Sequence, residues 1–452
     1  MRHAVRLQML QAQLSDIHVM QPIGRICAAR GNVLSVSGLN NVARIGDRVQ
    51  VTRQSGDMLS AEVVQLSQDD VTIIPDDAFE GIALGDRVTL DTQSTIAPND
   101  TWLGRIIDPN GEPLDGHPLS RGFVPRSLKC SPPPAATRKP LGTRLDTGHL
   151  VFDTMLPVVR GQRIGLFAGS GVGKSSLMGQ FAKRMSADVV VIAMIGERGR
   201  EVRQFVDDIL GPDGLRRSVV VAATSDQSPL LRRRCAWTAM AVAEHFRDEG
   251  RSVLLLADSV TRFAEAHREI AVAAGEAPVL RGFPASTSHL IMSLCERAGP
   301  GGPDQGDITA IFSVLVAGSD MEEPIADILR GVLDGHVVLD RTIAERGRFP
   351  AVDVLRSVSR SLPGAANAKE NEVIAEVRKL LATHAKNEMM ISAGLYTQGT
   401  DPDIDAAIQA WPNLDQAMAL LHEQGAKHSF DQLSLALRRS GTKSGKSIRA
   451  TR

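Results

Sequence analysis

The sequence predicts an α/β protein in three parts: an N-terminal β-barrel, a central core on a parallel sheet, and a C-terminal helical domain. Three observations carry the prediction. Between residues 22 and 91, short β-rich pieces alternate with Gly, Asn and Asp turns, the pattern of a small barrel or sandwich. Between residues 161 and 316, apolar β-branched runs alternate with helical patterns, which argues a parallel sheet covered on both faces. After Pro363 the strand signal stops and helical periodicity replaces it. A chain of 452 residues has room for three such parts at about 150 residues per domain.

Taken in order, residues 1–20 form an N-terminal segment. Within it, residues 2–14 place Leu7, Leu10 and Leu14 on one helical stripe, with Arg2, His3 and Arg6 adding positive charge. That pattern reads either as a frayed terminus or as a helix docking on a partner or an anionic membrane surface. The barrel occupies 21–92 and contains a near-repeat, Ile45-Gly46-Asp47-Arg48-Val49 and Leu84-Gly85-Asp86-Arg87-Val88. Residues 92–150 are rich in turns and include Pro132-Pro133-Pro134; they read as a linker and the entry to the next domain. The core is counted over 93–362, with strands expected in GQRIGLFAG, ADVVVIAMIG, SVVVAATS, SVLLLADS and ITAIFSVLV. In the helical domain, 363–440, Val373, Ile374, Val377, Leu380 and Leu381 share one face. Residues 441–452 end the chain as a basic tail; 438–452 hold six Lys or Arg and no acid, the signature of a solvated, disordered segment.

Composition narrows the function classes. Lys+Arg is 51 against 52 Asp+Glu, a net charge of −1, which excludes a surface that is basic all over. Cys27, Cys130, Cys235 and Cys295 are far apart with no C-x-x-C, so a disulfide scaffold and a sequential zinc cluster are excluded and a reducing compartment is expected. No run approaches the roughly 18 apolar residues of a membrane span. Gln8, Gln11, Gln13, Ser15 and Asp16 interrupt any signal-peptide core, so the expected location is the cytoplasm. His245, His267 and His289 are scattered and read as ordinary histidines, and Cys235 and Cys295 as small apolar fillers.

The strongest motif is Ala168-Gly169-Ser170-Gly171-Val172-Gly173-Lys174-Ser175, followed by Ser176. It follows an expected strand and opens an expected helix, the setting a phosphate-binding P-loop requires. The glycines let backbone N–H groups converge on phosphate oxygens. Lys174 supplies a point charge to the β- and γ-phosphates, and the Ser175 hydroxyl can ligate Mg²⁺. Ala168 stands where the strict pattern has Gly, at a strand–turn junction rather than a phosphate contact. A second strand, Leu254-Leu255-Leu256-Ala257-Asp258, ends in an acid that would hold the Mg²⁺ shell through water. A third ends in Gly196-Glu197-Arg198-Gly199-Arg200-Glu201. Parallel order puts Glu197 at the P-loop edge, where a carboxylate can polarise an attacking water and Arg198 can balance charge near the γ-phosphate. Spacing alone leaves a solvated charged loop equally open.

Five segments, AGSGVGKSSL, IGERGREV, LLLADSVTRFAEAHREI, EPIADILRGVLDGHVVLDR and RFPAVDVLRSVSR, resemble the catalytic subunits of rotary-type ATPases. Within these they are most similar to the flagellar protein export ATPases, whose siblings are the ATPases of type III secretion injectisomes. The likeness covers residues 20–440. It implies a RecA-like P-loop ATPase core between an N-terminal β-barrel and a C-terminal helical domain, in a homohexamer with active sites between protomers. Carried over by motif, residues 169–176 bind ATP, Ser175 and Asp258 serve Mg²⁺, and Glu197 is the catalytic carboxylate with Arg198 beside it. Arg262 lies near the phosphates, and Arg360 is an arginine finger reaching the neighbour's site; the alternative for Arg360, without the likeness, is a surface arginine at a helix start. Phe349 packs on the adenine, and Tyr396, the only tyrosine, lines the same pocket. The resemblance also implies a regulator protein on the N-terminal segment, a coiled-coil stalk protein in the pore, a membrane export gate, and exported proteins with their chaperones, at the cytoplasmic face of a bacterial inner membrane. Residues 278–304 depart from the family's pattern outside Glu296-Arg297-Ala298-Gly299, which leaves the geometry toward the stalk open.

Four alternatives differ from flagellar export. An injectisome ATPase shares every catalytic motif. A proton-coupled synthase subunit fits less well with SVSR and GSGVGKS. A non-catalytic ring subunit should lack Glu197. A nucleic-acid translocase would need aromatic platforms on a basic barrel, but residues 1–101 hold one aromatic, Phe79, and residues 1–95 have eight Arg, no Lys and eleven Asp/Glu. No nucleic-acid partner is therefore expected.

Overall fold

The computed structural model describes residues 21–78, 80–91, 95–316 and 321–439. The expected N-terminal helix and the basic tail lie outside these residues. The first module is a closed barrel of six strands: β1 (Ile23–Arg30), β2 (Val33–Ser37), β3 (Arg48–Thr52), β4 (Met58–Leu66), β5 (Val71–Pro75) and β6 (Arg87–Asp91). They close in the order β1-β2-β5-β4-β3-β6. Alternate residues point inward, so that Leu34, Val36, Val49, Val51, Ala61 and Ile73 fill the interior with no exposed surface. Closure removes the unpaired edges that an open sheet would present. Glu62 on β4 is buried and accepts a 2.8 Å hydrogen bond from Arg233 of the core, which ties barrel to core through a paired buried charge.

The core sheet contains β7 (Arg105–Ile107), β8 (Arg163–Ala168), β9 (Val189–Glu197), β10 (Ser218–Thr224), β11 (Ser252–Asp258), β12 (Asp307–Leu315), β13 (Gly335–Leu339) and β14 (Val352–Ser359). Their order is β14-β13-β8-β12-β11-β9-β10-β7, with the short strand Gly299–Pro300 pairing antiparallel to β12. All the other pairings are parallel except β13 with β14. The apolar runs are strands because both faces are covered. On β9, Val190, Ile192 and Met194 pack with Leu177 and Phe181, while Val189, Val191 and Ile195 pack with Met240 and Phe263 on the opposite face. This period of two is what a pleated strand imposes, and each such buried side chain stabilises the sheet by about 1.5–3 kcal/mol.

The segment read as a linker is more than that. Ile96, Trp102, Ile107 and Leu128 are buried in the same cluster as the core strands, β7 pairs with β10, and residues 95–96 pair with 126–127. Its apolar residues stand singly among turn formers, so no periodic run announces them.

Helices α1 (Lys174–Arg184), α2 (Pro229–Asp248), α3 (Val260–Ala273), α4 (Ser286–Arg297) and α5 (Pro324–Val332) cover the sheet. The C-terminal domain follows as α6 (Ala368–Ser392), α7 (Pro402–Ala417) and α8 (Gly425–Arg439). A capping box starts α6, with Asn367 and Glu370 each accepting from the other's backbone N–H. Asp401 caps α7. Phe430, Leu433 and Leu437 of α8 share a cluster with Leu150, Val151 and Phe152, so the helical domain is packed onto the core and not merely tethered to it.

Candidate active site

Because the sheet is parallel, the loops after β8, β9 and β11 all emerge at its carboxyl edge, where α/β sheets bind ligands. The loop after β8 is the Gly-rich segment. Gly171 and Gly173 have φ of 78° and 87°, backbone that side-chain-bearing residues adopt only with strain. Gly173 is the N-cap of α1 and offers no capping side chain, so the first amides of the helix remain free of intrahelical acceptors. Val172 is buried and anchors the loop; Gly169 is half-buried, and Ser170, Ser175 and Ser176 are exposed along its mouth. The result is an N–H cradle at a helix N-terminus, suited to phosphate.

Lys174, the first residue of α1, points across the sheet edge. Its Nζ contacts Asp258 Oδ1 and lies 3.9 Å from Glu197 Oε1. Asp258 ends β11 and is buried. Ser313 Oγ on β12 donates to the same Oδ1 at 2.6 Å.

Glu197 reaches this cluster through a β-bulge. Ile195 pairs with Ala223 and Glu197 with Thr224, leaving Gly196 as the extra residue. Gly196 has φ 68°, and a Cβ there would lie 3.3 Å from Arg232 Cδ and 3.4 Å from Arg262 Cβ. Burial first, then the nearby Asp258 charge, push the Glu197 carboxyl up to about 7, against the pull of Lys174. Glu197 also hydrogen-bonds Glu201, whose own carboxyl is lowered by that bond. An acid poised near neutrality is suited to proton transfer.

The other expected residues separate into near and far. Phe349 is half-exposed with its ring edge 3.2 Å from where a Gly173 Cβ would sit, so it lies over the P-loop. Arg262 pairs with Glu265 at 2.8 Å and contributes its charge toward Glu197 and Glu201. Arg198 is largely exposed and pairs with Glu201 at 3.1 Å. Arg360 lies at the opposite edge of the sheet. Ser359 pairs with Gly335 at the start of β13, and Arg360 donates through Nη2 to the Arg330 carbonyl at 3.1 Å.

Tyr396 is fixed by its own turn. Its hydroxyl donates to Asp405 Oδ1 and the Asp401 carbonyl, each at 2.9 Å. It therefore braces the turn before α7. A phenol with two acceptors within nine residues is held locally, whatever its rarity in the chain. Sequence reasoning missed Ser313 and gave Glu201 no role. The available signals were a hydroxyl inside an apolar strand and an i,i+4 pair of acids.

Among the described residues no helix is long and apolar enough to cross a membrane. Comparison with known proteins matches three family models along the chain, two of them from the ATP synthase alpha/beta family. Its beta-barrel domain matches residues 19–90, its nucleotide-binding domain matches 148–359, and the T3SS EscN ATPase C-terminal domain matches 366–437. The flagellum-specific ATP synthase of Caulobacter vibrioides is 42% identical, covering 95% of this chain and 99% of that protein. The assembled ATPase EscN of the enteropathogenic E. coli type III secretion system superposes with a TM-score of 0.84 at 37% identity, over 92% of this chain and all of that one. EscN in complex with its central stalk EscO gives 0.81 at 37% identity, with the same coverage.

Proposed function

The chain belongs to the ATP synthase alpha/beta family, among the flagellum-specific ATP synthases, and from that premise we propose that it is the ATP-hydrolysing motor that energises export through a flagellar type III apparatus. It is a P-loop ATPase. The observation that carries the reading is the meeting of Lys174, Glu197 and Asp258 at the edge where the Gly-rich loop opens.

In this reading the loop amides of residues 169–174 hold the β- and γ-phosphates, and Lys174 neutralises their charge. Phe349 packs on the base. Glu197 takes the proton of the attacking water, and burial together with the nearby Asp258 charge raises its affinity for that proton. Arg198 and Arg262 counter the negative charge of the site from its rim. Arg360 acts on the neighbouring protomer, where charge builds on the transferring phosphoryl group. The donors fit Mg²⁺: Ser175 offers one hydroxyl and Asp258 one carboxylate, which suits a cation that keeps several waters and takes its remaining oxygens from phosphate. When bound, Mg²⁺ would neutralise part of the charge of the triphosphate.

We read the working form as a homohexameric ring with a stalk protein in its pore, by likeness to the assembled EscN and its stalk complex. Regulator, export gate, chaperones and exported proteins are further partners in this reading, at the cytoplasmic face of the inner membrane. An injectisome role is the second reading, favoured by the C-terminal domain match.

The test is ATP hydrolysis by the purified full-length chain. Lys174→Ala and Glu197→Gln should each reduce turnover by about 10²–10⁴, and near-normal turnover in either would refute the site. Loss of flagella, with secretion needles intact, on deleting the gene would separate the two export systems.

A further inference from the structure

We propose that Ser313 is a positioning residue for Asp258, and that its hydroxyl fixes the rotamer that leaves one oxygen of that carboxylate facing the Mg²⁺–triphosphate. The inference rests on the reading of Asp258 as the carboxylate serving the metal through water.

Ser313 sits on β12 between Phe312 and Val314, and all three are completely buried. A hydroxyl in such surroundings needs a partner, and its single proton goes to Asp258 Oδ1 at 2.6 Å. Asp258 is on the adjacent strand, one position beyond the pairing of Ala257 with Phe312. The same Oδ1 receives Lys174 Nζ. Both hydrogen bonds to the carboxylate among the described residues go to Oδ1 and none to Oδ2. The two oxygens are thus unequal: Oδ1 is turned into the protein and Oδ2 is left for other chemistry.

The two donors to Oδ1 differ in what competes for them. Lys174 also serves phosphate, so its hold on Asp258 depends on what else is bound. Ser313 is held in the strand, and among the described residues Asp258 is the acceptor its hydroxyl uses. Turning Asp258 about its Cα–Cβ bond would break the Ser313 bond and strand a buried donor, a penalty that resists rotation. Ser313 is therefore the constant constraint on that carboxylate, and partners of this kind tune metal affinity by about 10–100-fold.

The test titrates Mg²⁺ into the full-length protein saturated with a fluorescent ADP analogue, so that metal binding is read without hydrolysis. Ser313→Ala should raise the Mg²⁺ concentration at half-signal by about tenfold or more, with affinity for the analogue in EDTA unchanged. Ser313→Thr, which keeps the hydroxyl, should restore the wild-type titration. Ser313→Cys, close in volume with a weak donor, serves if the alanine variant folds poorly, and should shift in the same direction. Asp258→Asn is the reference. If it shifts the titration and Ser313→Ala and Ser313→Cys do not, the positioning role is wrong while the metal reading stands. If Asp258→Asn leaves the titration unmoved, the reading of Asp258 fails and the inference with it. A loss of thermal stability in Ser313→Ala with an unmoved Mg²⁺ midpoint would make the residue merely structural and overturn the proposal.

Discussion

Glu197 is a carboxyl whose surroundings hold its proton more tightly than water would. Its value of about 7 lies above that of a free glutamate, because burial and Asp258 disfavour the charged form more than Lys174 favours it. Below the unfolded-state value both forms of the chain carry this proton, and it contributes nothing to the pH dependence. From there up to about pH 7 the folded chain binds more proton than the unfolded one, so stability falls as pH rises. Gln mimics the protonated acid. Glu197→Gln should therefore unfold like wild type near pH 4.5, and at pH 8 be more stable by about 1–2 kcal/mol, a figure kept below the full shift because the group is not wholly desolvated. Urea unfolding of both proteins at the two pH values measures this; a wild type that gains stability on the variant toward pH 8 would contradict the assigned environment. The same residue shows what was legible at this scale. Gly-Glu-Arg after an apolar strand pointed to an acid at the sheet edge, because parallel strands send consecutive loops to one side. Ser313 was not legible, because its partner is 55 positions away and a lone serine in an apolar strand carries no period.

At the scale of elements, the active edge depends on one irregular residue in an otherwise regular strand. Val189 to Ile195 was recognisable because an uninterrupted apolar run of strand length, mostly β-branched, fits a sheet covered on both faces. The bulge at its end was not, although Gly196 marked the place. With φ at 68° and a Cβ position hemmed by Arg232 and Arg262, Gly196→Ala strains the backbone by about 1–3 kcal/mol and pushes Glu197 away from Lys174. Small misplacements of reacting groups are costly, on the order of 10²-fold for 1 Å. Gly196→Ala should lower kcat by at least about tenfold with little change in KM, because the phosphate cradle is on a different loop. A variant with wild-type kcat would show that the bulge does not aim the carboxylate. β7 escaped sequence reading for the opposite reason to β9: three residues between turns make no pattern, and the singly placed Ile96, Trp102, Ile107 and Leu128 fasten that segment to the sheet.

At the scale of the whole molecule, strand direction decides what one chain can and cannot assemble. β14 runs antiparallel to β13, so its start, near Phe349, is at the P-loop edge and its end, at Arg360, is at the other. Arg360 N–H bonds the Asp334 carbonyl, and Asp334 N–H bonds the Arg163 carbonyl at the beginning of β8. The P-loop starts at the other end of that strand, a rise of about 17 Å at roughly 3.3 Å per residue. A single chain therefore cannot bring its own Arg360 to its own Lys174, and a finger role requires a second copy in a head-to-tail interface. This separation makes a mixing experiment decisive. Lys174→Ala destroys a chain's own phosphate site but leaves its Arg360 intact; Arg360→Ala does the reverse. Each variant alone should be nearly inactive, the second with nucleotide affinity close to wild type. In a random equal mixture about one interface in four pairs an intact P-loop with an intact Arg360, because head-to-tail contacts draw the two halves from different copies. Turnover should then recover to as much as about a quarter of wild type if sites fire independently, and to less if firing must pass around the ring. Turnover that stays at the level of the separate variants at every mixing ratio, in rings shown to contain both chains, would mean that Arg360 does not complete a neighbour's site.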